Sequence, residues 1–308
     1  IWILCLFYPF VDFVCSIVGY DPDGGMSAAQ KTKLLPIVLA MFHTCFNVCN
    51  TGVLIWFIPQ LEKVVCKLIK PKTDKEDEDF RLRFIQVGIM KTPELSVFEA
   101  QREIGSFGER IHRMFGMVRE LLETQDSKTF DKLYERIEKY EGISDNMEIE
   151  IAKYLDQVSD AHLSDDTKAK IRAMLREISE IESIGDSCFN LARTIKRKGE
   201  NKEEFTAKQS ENIHQMFKLV DEALTQMNYM FAHERHSINL NRTYNIETEI
   251  NNYRTQLRNQ NLDDVDNHLY TYGVGTLYMD IIQECEKLGD YVVNVAEARM
   301  GVRTSVAV

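Results

Sequence analysis

The sequence predicts an all-α protein, in which a transmembrane helical hairpin is followed by a pair of three-helix bundles. Two long apolar runs near the N-terminus predict the hairpin. Further along, apolar residues recur at spacings of three and four, which is typical of helices with one buried face, and no alternating strand pattern is visible. A sequence segment that occurs twice, about 104 residues apart, indicates that six helices form two copies of one unit.

The first apolar run covers residues 1–20 and the second covers residues 34–59. At ~1.5 Å per residue, either run can cross a hydrocarbon core of about 30 Å. Pro9 and Asp12 interrupt the first run, whereas the second has Trp56 near one end, as an interfacial aromatic residue would be. A buried hairpin in a soluble protein is the alternative. Because the chain begins with Ile inside an apolar run, we expect a fragment whose upstream part is missing.

The lysines predict the orientation of this hairpin. The connecting loop contains a turn signal, DPDGG at residues 21–25, and two lysines follow it, whereas five lysines follow the second run. The positive-inside bias therefore places everything after the hairpin in the cytoplasm. This predicts a multi-pass protein of the plasma or inner membrane with a cytoplasmic C-terminal domain. The lysines are Lys31 and Lys33 before the second run, and Lys63, Lys67, Lys70, Lys72 and Lys75 after it.

Four polar residues lie at membrane depth in the predicted hairpin: Asp12, Asn47, Asn50 and Thr51. Polar groups in this position are candidates for a transport path. Hydrogen bonding between helices is the alternative for the asparagines and the threonine.

A charged linker and six helices follow the hairpin. The predicted domains are the hairpin at 1–60, an amphipathic and charged linker at 61–90, repeat 1 at 91–198, repeat 2 at 199–300 and a tail at 301–308. Ser164-Asp165 and Asp263-Asp264 place capping oxygens and negative charge at the starts of the third and sixth helices. The predicted helices lie near 94–124, 128–160, 165–198, 203–232, 234–259 and 262–299.

Two pairs of matched blocks define the repeat. Residues 180–192 (EIESIGDSCFNLA) and 284–296 (ECEKLGDYVVNVA) align at an offset of 104. Residues 109–118 (ERIHRMFGMV) and 211–220 (ENIHQMFKLV) align at an offset of 102. Two blocks in the same order make chance unlikely, and a unit of about one hundred residues is long enough for a self-sufficient bundle.

The composition excludes several functional classes. The net charge of −11 argues against nucleic acid as a partner, because phosphate binding needs clustered Lys and Arg. The seven cysteines form no Cys-x-x-Cys pair, which indicates buried reduced thiols rather than a zinc site. The sequence has no nucleophile elbow, P-loop or zinc-protease helix, so an enzyme is the least supported class.

The repeated motif carries acids that point to a metal site. Glu182 and Asp186 lie four residues apart, with Asn190 one turn further, and therefore form one polar stripe on a helix. Two acids at this spacing repel each other unless a positive charge lies between them. Carboxylates suit divalent or iron-type metal ions. Gly185 and Gly289 remove a side chain beside the acid, which would let another helix or a ligand approach closely.

A second acid pair, Glu141 and Asp145, precedes the first copy of the motif, and its counterparts at offset 104 are Asn245 and Glu249. If neighbouring helices pack side by side, four acids converge in the first repeat, as in metal sites of helical bundles. The first site should bind metal more tightly, because the second has one acid fewer. A solvated helix face is the alternative. The predicted ligands are Glu141, Asp145, Glu182 and Asp186 in the first site, and Glu249, Glu286 and Asp290 in the second.

The pattern Glu-x-x-Gly-Asp-x-x-x-Asn-x-Ala, used twice, resembles the PhoU family over roughly residues 90–300. The resemblance implies two three-helix bundles, a role in the control of phosphate uptake, and multinuclear metal clusters on the acidic motifs. The acids of both predicted sites match those motifs. The usual Arg of the family motif is replaced by Ser183 and Lys287, and Asn245 departs from the pattern.

The membrane part resembles the sodium/phosphate cotransporter family at residues 40–47 (AMFHTCFN), Gly52, Leu54, Trp56 and Pro59. Some bacterial members of that family carry a PhoU-like cytoplasmic domain after the transporter. The resemblance implies a fragment of a sodium-dependent phosphate symporter, although the family's Gln-Ser-Ser-Ser motifs do not occur here. The implied partners are membrane lipid, inorganic phosphate, sodium as the coupling ion and an N-terminal transporter core, with a homodimer left open. The alternatives are a membrane-tethered regulator without transport activity and a purely structural dimerisation element.

Overall fold

The computed structural model describes residues 2–21, 24–68, 82–85, 92–160, 163–234 and 238–301. The chain divides into two compact units, Ile1–Thr73 and Asp74–Val308. All regular secondary structure in the described ranges is helical, which confirms the predicted fold class. The helices are α1 (Trp2–Val18), α2 (Ala28–Leu68), α3 (Pro93–Glu123), α4 (Ser127–Ser159), α5 (Asp165–Glu200), α6 (Ala207–Ala232), α7 (Leu240–Asp266) and α8 (Tyr272–Met300).

The N-terminal unit is a pair of helices with little interior of its own. Val14, Cys15 and Val38 form its small buried cluster, whereas large apolar side chains such as Leu39 and Val48 are exposed. A surface of this kind is unfavourable in water and suits a lipid environment or a partner. The pairing of α1 with α2 agrees with the predicted hairpin.

Among the described residues, one helix is long and apolar enough to cross a membrane, over Ala28–Gly52. Helix α1 contributes only a shorter apolar stretch, Phe7–Val18. The described residues therefore contain one candidate span where the sequence predicts two. Helix α2 also continues through Leu68, into the segment predicted as a linker, while the charged stretch 71–79 lies outside the described residues.

The C-terminal unit consists of two three-helix bundles, α3–α5 and α6–α8. Each helix has apolar residues at three- and four-residue spacings that face a common interior. On α5 the predicted face is confirmed, because its isoleucines are at most 4% exposed. These residues are Ile171, Ile178, Ile181 and Ile184.

The two bundles join along α5 and α8, the most extensive helix pair, and along α3 and α6. Phe115 and Phe217, which occupy matching positions of the repeat, meet edge to face with ring centroids 5.4 Å apart. The matched histidines each contact an acid of the other bundle. His112 Nε2 lies 3.0 Å from Asp221 Oδ1, and His214 Nε2 lies 3.3 Å from an oxygen of Glu123.

A short segment before the first bundle, residues 82–85, is held against α3. The buried Glu103 carboxylate accepts the amide N–H of Phe84 at 2.6 Å and that of Ile85 at 3.4 Å. The Arg102 guanidinium lies 4.0 Å from the centre of the Phe84 ring, and Ile85 is only 5% exposed. These contacts therefore hold residues 82–85 against α3 of the first bundle.

The predicted helices agree with α3, α4 and α5 to within two residues at each end. The Ser164 hydroxyl caps α5 as expected, accepting the Thr167 N–H. The predicted boundary between the last two helices was wrong. Asp263 and Asp264, expected to open the sixth helix, lie in the last turn of α7, and the Thr271 side chain caps α8 instead. The fourth helix begins later than expected, at a capping box formed by Thr206 and Gln209.

Candidate metal centre

Helices α4 and α5 approach each other closely at Gly185. A Cβ atom at this position would lie 2.8 Å from Ser144 Oγ, which is closer than real side chains come. Gly289 has the same role between α8 and α7, where a Cβ would lie 3.1 Å from Ile250 Cδ1. The expectation that these glycines allow another helix to approach is confirmed.

This approach brings acids of α4 and α5 together. Glu141, Asp145 and Asp186 each offer a carboxylate oxygen within 4.8 Å of the other two. In the described part of the chain, no other group of three His, Cys, Asp or Glu side chains comes this close. Glu182 lies beside them, since both Asp145 and Asp186 raise its pKa. We call Glu141, Asp145, Glu182 and Asp186 the first cluster.

Burial and mutual repulsion raise the pKa values of three acids of the first cluster. Burial, followed by the charges of Asp186, Glu148 and Asp145, raises the pKa of Glu182 to about 7. Burial and the neighbouring Asp145 and Asp186 raise the pKa of Glu141. Burial and then Asp145 also raise the pKa of Asp186, although a hydrogen bond with Glu182 opposes this.

The donor atoms of the first cluster fit a hard cation. Every charged neighbour that shifts these pKa values is itself a carboxylate. Asp145 Oδ1 is buried and has no hydrogen-bond partner. Carboxylate oxygens are the ligands preferred by Mg²⁺, Ca²⁺ and Mn²⁺, and iron also accepts them. A cation between α4 and α5 would relieve the repulsion and complete the bonding of Asp145.

In the second repeat the predicted register of α7 was wrong by two residues. Gly185 packs on Ser144, whereas Gly289 packs on Ile250, so the second helices of the two repeats are related by an offset of 106. Glu247 therefore matches Glu141. The loop explains the shift, because 233–239 between α6 and α7 is four residues longer than 124–126 between α3 and α4.

The corrected register removes Glu249 and Asn245 from the second site. Both are exposed on α7. Asp290 instead lies near Glu247, which helps to raise its pKa. Residues 247 and 249 point to opposite sides of the helix, since successive residues are about 100° apart. We call Glu247, Asn251, Glu286 and Asp290 the second cluster; sequence reasoning had found only its last two acids.

An arginine lies beside the second cluster. Arg254 Nη2 donates to Glu286 Oε1 at 2.8 Å. Burial, Glu286 and Glu247 raise the pKa of Asp290 to about 6, and the charge of Arg254 opposes this shift. Asn251 Nδ2 donates to Glu247 Oε1. The position of Arg254 corresponds at offset 106 to Glu148, which adds a further negative charge beside the first cluster.

Comparison with known proteins agrees with this architecture. Residues 104–195, which lie within the first repeat, match the model of the PhoU domain. A comparison of the sequence with curated proteins gives no match. The chain contains a PhoU-like domain.

Two solved structures share the fold of the PhoU-like domain. One is the phosphate transport system regulatory protein PhoU from Streptococcus pneumoniae, with a TM-score of 0.58 and 18% sequence identity, covering 70% of this chain and 99% of that one. The other is PhoU from Pseudomonas aeruginosa, with a TM-score of 0.60 and 12% identity, covering 68% of this chain and 97% of that one. At these identities the likeness shows the fold.

The asparagines of the PhoU-like motif have a role outside the acid clusters. Asn294 Nδ2 donates to Glu180 Oε2 at 2.9 Å, a contact between α8 and α5. Asn190 lines a cavity of about 530 Å³ together with Glu284, which is the residue that matches Glu180 in the repeat. The polar stripe predicted on each motif helix therefore divides between an acid cluster and the junction of the two bundles.

The four candidates for a transport path lie outside the PhoU-like domain. Asp12 is exposed on α1, and Asn47, Asn50 and Thr51 are exposed on α2. The side-chain amide of Asn47 lies 3.1 Å from His43 Nε2, one turn earlier on its own helix. No contact among the described residues joins Asp12 to the other three.

Proposed function

We propose that the PhoU-like domain is a metal-dependent regulatory domain, attached to the last membrane hairpin of a sodium-dependent phosphate symporter. The observation that carries the regulatory part is the first cluster, where Glu141, Asp145 and Asp186 converge, Glu182 lies beside them, and every charge that shifts a pKa in the cluster is a carboxylate. The regulatory assignment also draws on PhoU of Streptococcus pneumoniae, which is described as a phosphate transport system regulatory protein.

The first cluster would hold the metal through four side chains on two helices. Glu141 and Asp145 belong to α4, and Glu182 and Asp186 belong to α5. A bound divalent or iron-type cation would supply the positive charge that these carboxylates lack. The chain's own contribution is the close approach at Gly185, which sets the distance between the two ligand pairs. The separation of α4 and α5 then depends on whether the cluster is neutralised, and this gives the domain two states.

The transport part of the proposal rests on the apolar N-terminal unit and on the resemblance of its second helix to the cotransporter family. Its partners would be membrane lipid, sodium, inorganic phosphate and an N-terminal transporter core. The protein would lie in the plasma or inner membrane, with the PhoU-like domain in the cytoplasm. Asp12, Asn47, Asn50 and Thr51 remain candidates for residues along the transport path.

A second candidate function is a membrane-tethered regulator without transport activity of its own. Within the described residues one helix, over Ala28–Gly52, is long and apolar enough to span a membrane, which is compatible with this function because an anchor needs only one span. Uptake of labelled phosphate by liposomes containing the full-length protein separates the two. Uptake that depends on a sodium gradient supports the symporter, and its absence leaves the regulator.

Elemental analysis tests the metal centre. The purified protein is dialysed with manganese(II), then against buffer alone, and its metal content is compared with that of the Asp186→Asn variant. We expect bound metal in the wild type and much less in the variant, because a coordinating carboxylate is lost. Asp266→Asn, at the end of α7, is the control. Equal metal content in all three proteins would refute the assignment.

A further inference from the structure

The second cluster and its surroundings differ from the first at two matched positions, and both differences have the same electrostatic direction. At offset 106, Asp145 becomes Asn251 and Glu148 becomes Arg254, while Glu141 is retained as Glu247. These two changes make the site less negative by one charge and by two charges, respectively. The acids of the motif itself, Glu286 and Asp290, are kept.

The buried positions of α4 and α7 support this alignment independently of the acids. Tyr140 and Ile246 are 1% and 5% exposed, and Ile151 and Leu257 are 0% and 1% exposed. Both pairs are separated by 106 residues. The changed charges therefore occupy equivalent places on the two helices.

The arginine occupies the place where a cation would act. Its Nη2 atom lies 2.8 Å from Glu286 Oε1, and the two side chains are only 25% and 21% exposed. The same guanidinium lies close enough to Asp290 to lower the pKa of that acid. A charge-assisted hydrogen bond at this distance is among the stronger polar contacts in proteins.

We propose that Arg254 is a built-in counter-ion that replaces metal in the second cluster, so that only the first repeat of the PhoU-like domain responds to metal. The second cluster does not fit the metal that the fold implies. Glu286, a motif acid, already accepts a guanidinium hydrogen bond, and Asn251 supplies a neutral amide in place of a carboxylate. The statement that the first repeat binds metal rests on the proposed function. The role of Arg254 as a counter-ion does not depend on it.

Reciprocal exchange of the differing residues tests this inference. Asn251→Asp with Arg254→Glu gives the second cluster the charges of the first, and Asp145→Asn with Glu148→Arg does the reverse. Elemental analysis after dialysis with manganese(II) should show about twice the wild-type metal content in the first double variant. The second double variant should lose the wild-type metal.

Two results would overturn the role of Arg254. One is an unchanged metal content in the Asn251→Asp, Arg254→Glu variant while the wild type binds metal. The other is metal retained in the second repeat when the first cluster has been neutralised by Asp145→Asn with Glu148→Arg. Purification of the first double variant with manganese(II) present keeps its additional acids neutralised while the protein folds.

If the wild type binds no metal, thermal unfolding in chelator still tests the role of Arg254. In chelator, Arg254→Met should lower the Tm of the full chain by about 3 °C or more, because Glu286 and Asp290 lose their counter-ion. Arg258→Met, one turn further along α7 and exposed, is the matched control. Equal Tm values for the two variants would refute the counter-ion. A lower Tm for Arg254→Met alone would retain it even if the metal centre of the first repeat failed.

Discussion

Glu182 provides the sharpest test of the first cluster. Its pKa is raised from 4.5 to about 7, first by burial and then by Asp186, Glu148 and Asp145. The folded protein therefore binds more protons than the unfolded chain between pH 4.5 and 7. Stability should decrease as the pH rises through this window, and the penalty is complete above it. The Glu182→Gln substitution removes the charge and should therefore stabilise the protein without metal.

The size of the effect follows from the shift. At about 1.4 kcal/mol per pKa unit, a shift of this size corresponds to roughly 3 kcal/mol before screening is considered. Because the side chain is only half-buried, screening by solvent reduces the expected gain to about 1 kcal/mol at pH 8. This corresponds to a rise in Tm of about 2–4 °C for a domain of this size. At pH 4.5 the acid is mostly protonated in the folded protein, and the gain should be close to zero.

The assay is urea denaturation of the full chain in chelator, monitored by circular dichroism at several pH values between 4.5 and 8. The difference in unfolding free energy between Glu182→Gln and wild type should grow with pH. Glu120→Gln, on the exposed surface of α3, is the control and should show no such trend. A difference that stays constant over this range would refute the repulsion among the acids. With manganese(II) the wild type should become the more stable of the two proteins, because its Glu182 carboxylate can bind the ion and the variant lacks that carboxylate.

Two further predictions concern packing. Gly185→Val should lower the free energy of unfolding by about 2 kcal/mol, because its Cβ would meet Ser144. Gly142→Val, in open space on α4, is the control and should be nearly neutral. Urea denaturation measures both effects. Glu103→Leu should release residues 82–85, since two amide groups lose their acceptor. Limited trypsin digestion should then cut after Arg83 faster than in the wild type, and an unchanged rate would contradict the role of Glu103.

The first repeat could be predicted from sequence because several local signals agree there. Ser164 marks the start of α5, and the apolar spacing on that helix fixes which face is buried. Once that face is set, the glycine beside Asp186 indicates where α4 must approach. Together with the acid pair four residues apart on α4, these features predict the convergence of Glu141, Asp145 and Asp186 that the structure shows.

The second repeat could not be read in the same way because the offset between the repeats is not constant. It is 102 on the first helices and 104 on the motif helices, and the longer loop 233–239 raises it to 106 on α7. An error of two residues turns a helical side chain to the opposite face, which is how Glu249 was selected in place of Glu247. Alignment of the buried apolar positions, such as Ile151 with Leu257, contains the correct register.

The two clusters solve one electrostatic problem in different ways, and the difference bears on regulation. Each places acids four residues apart on its motif helix, with further acid from the neighbouring helix that approaches at the glycine, so each needs positive charge. In the second cluster Arg254 provides the positive charge permanently, so the contact between α7 and α8 does not depend on whether the solution contains metal. In the first, Glu148 makes the demand larger, and we propose that an ion from the solution meets it. On this view the second bundle keeps one arrangement, whereas the first has one arrangement with metal and another without it. Such a domain can convert the presence of metal into a change of shape, because the first bundle moves relative to the second.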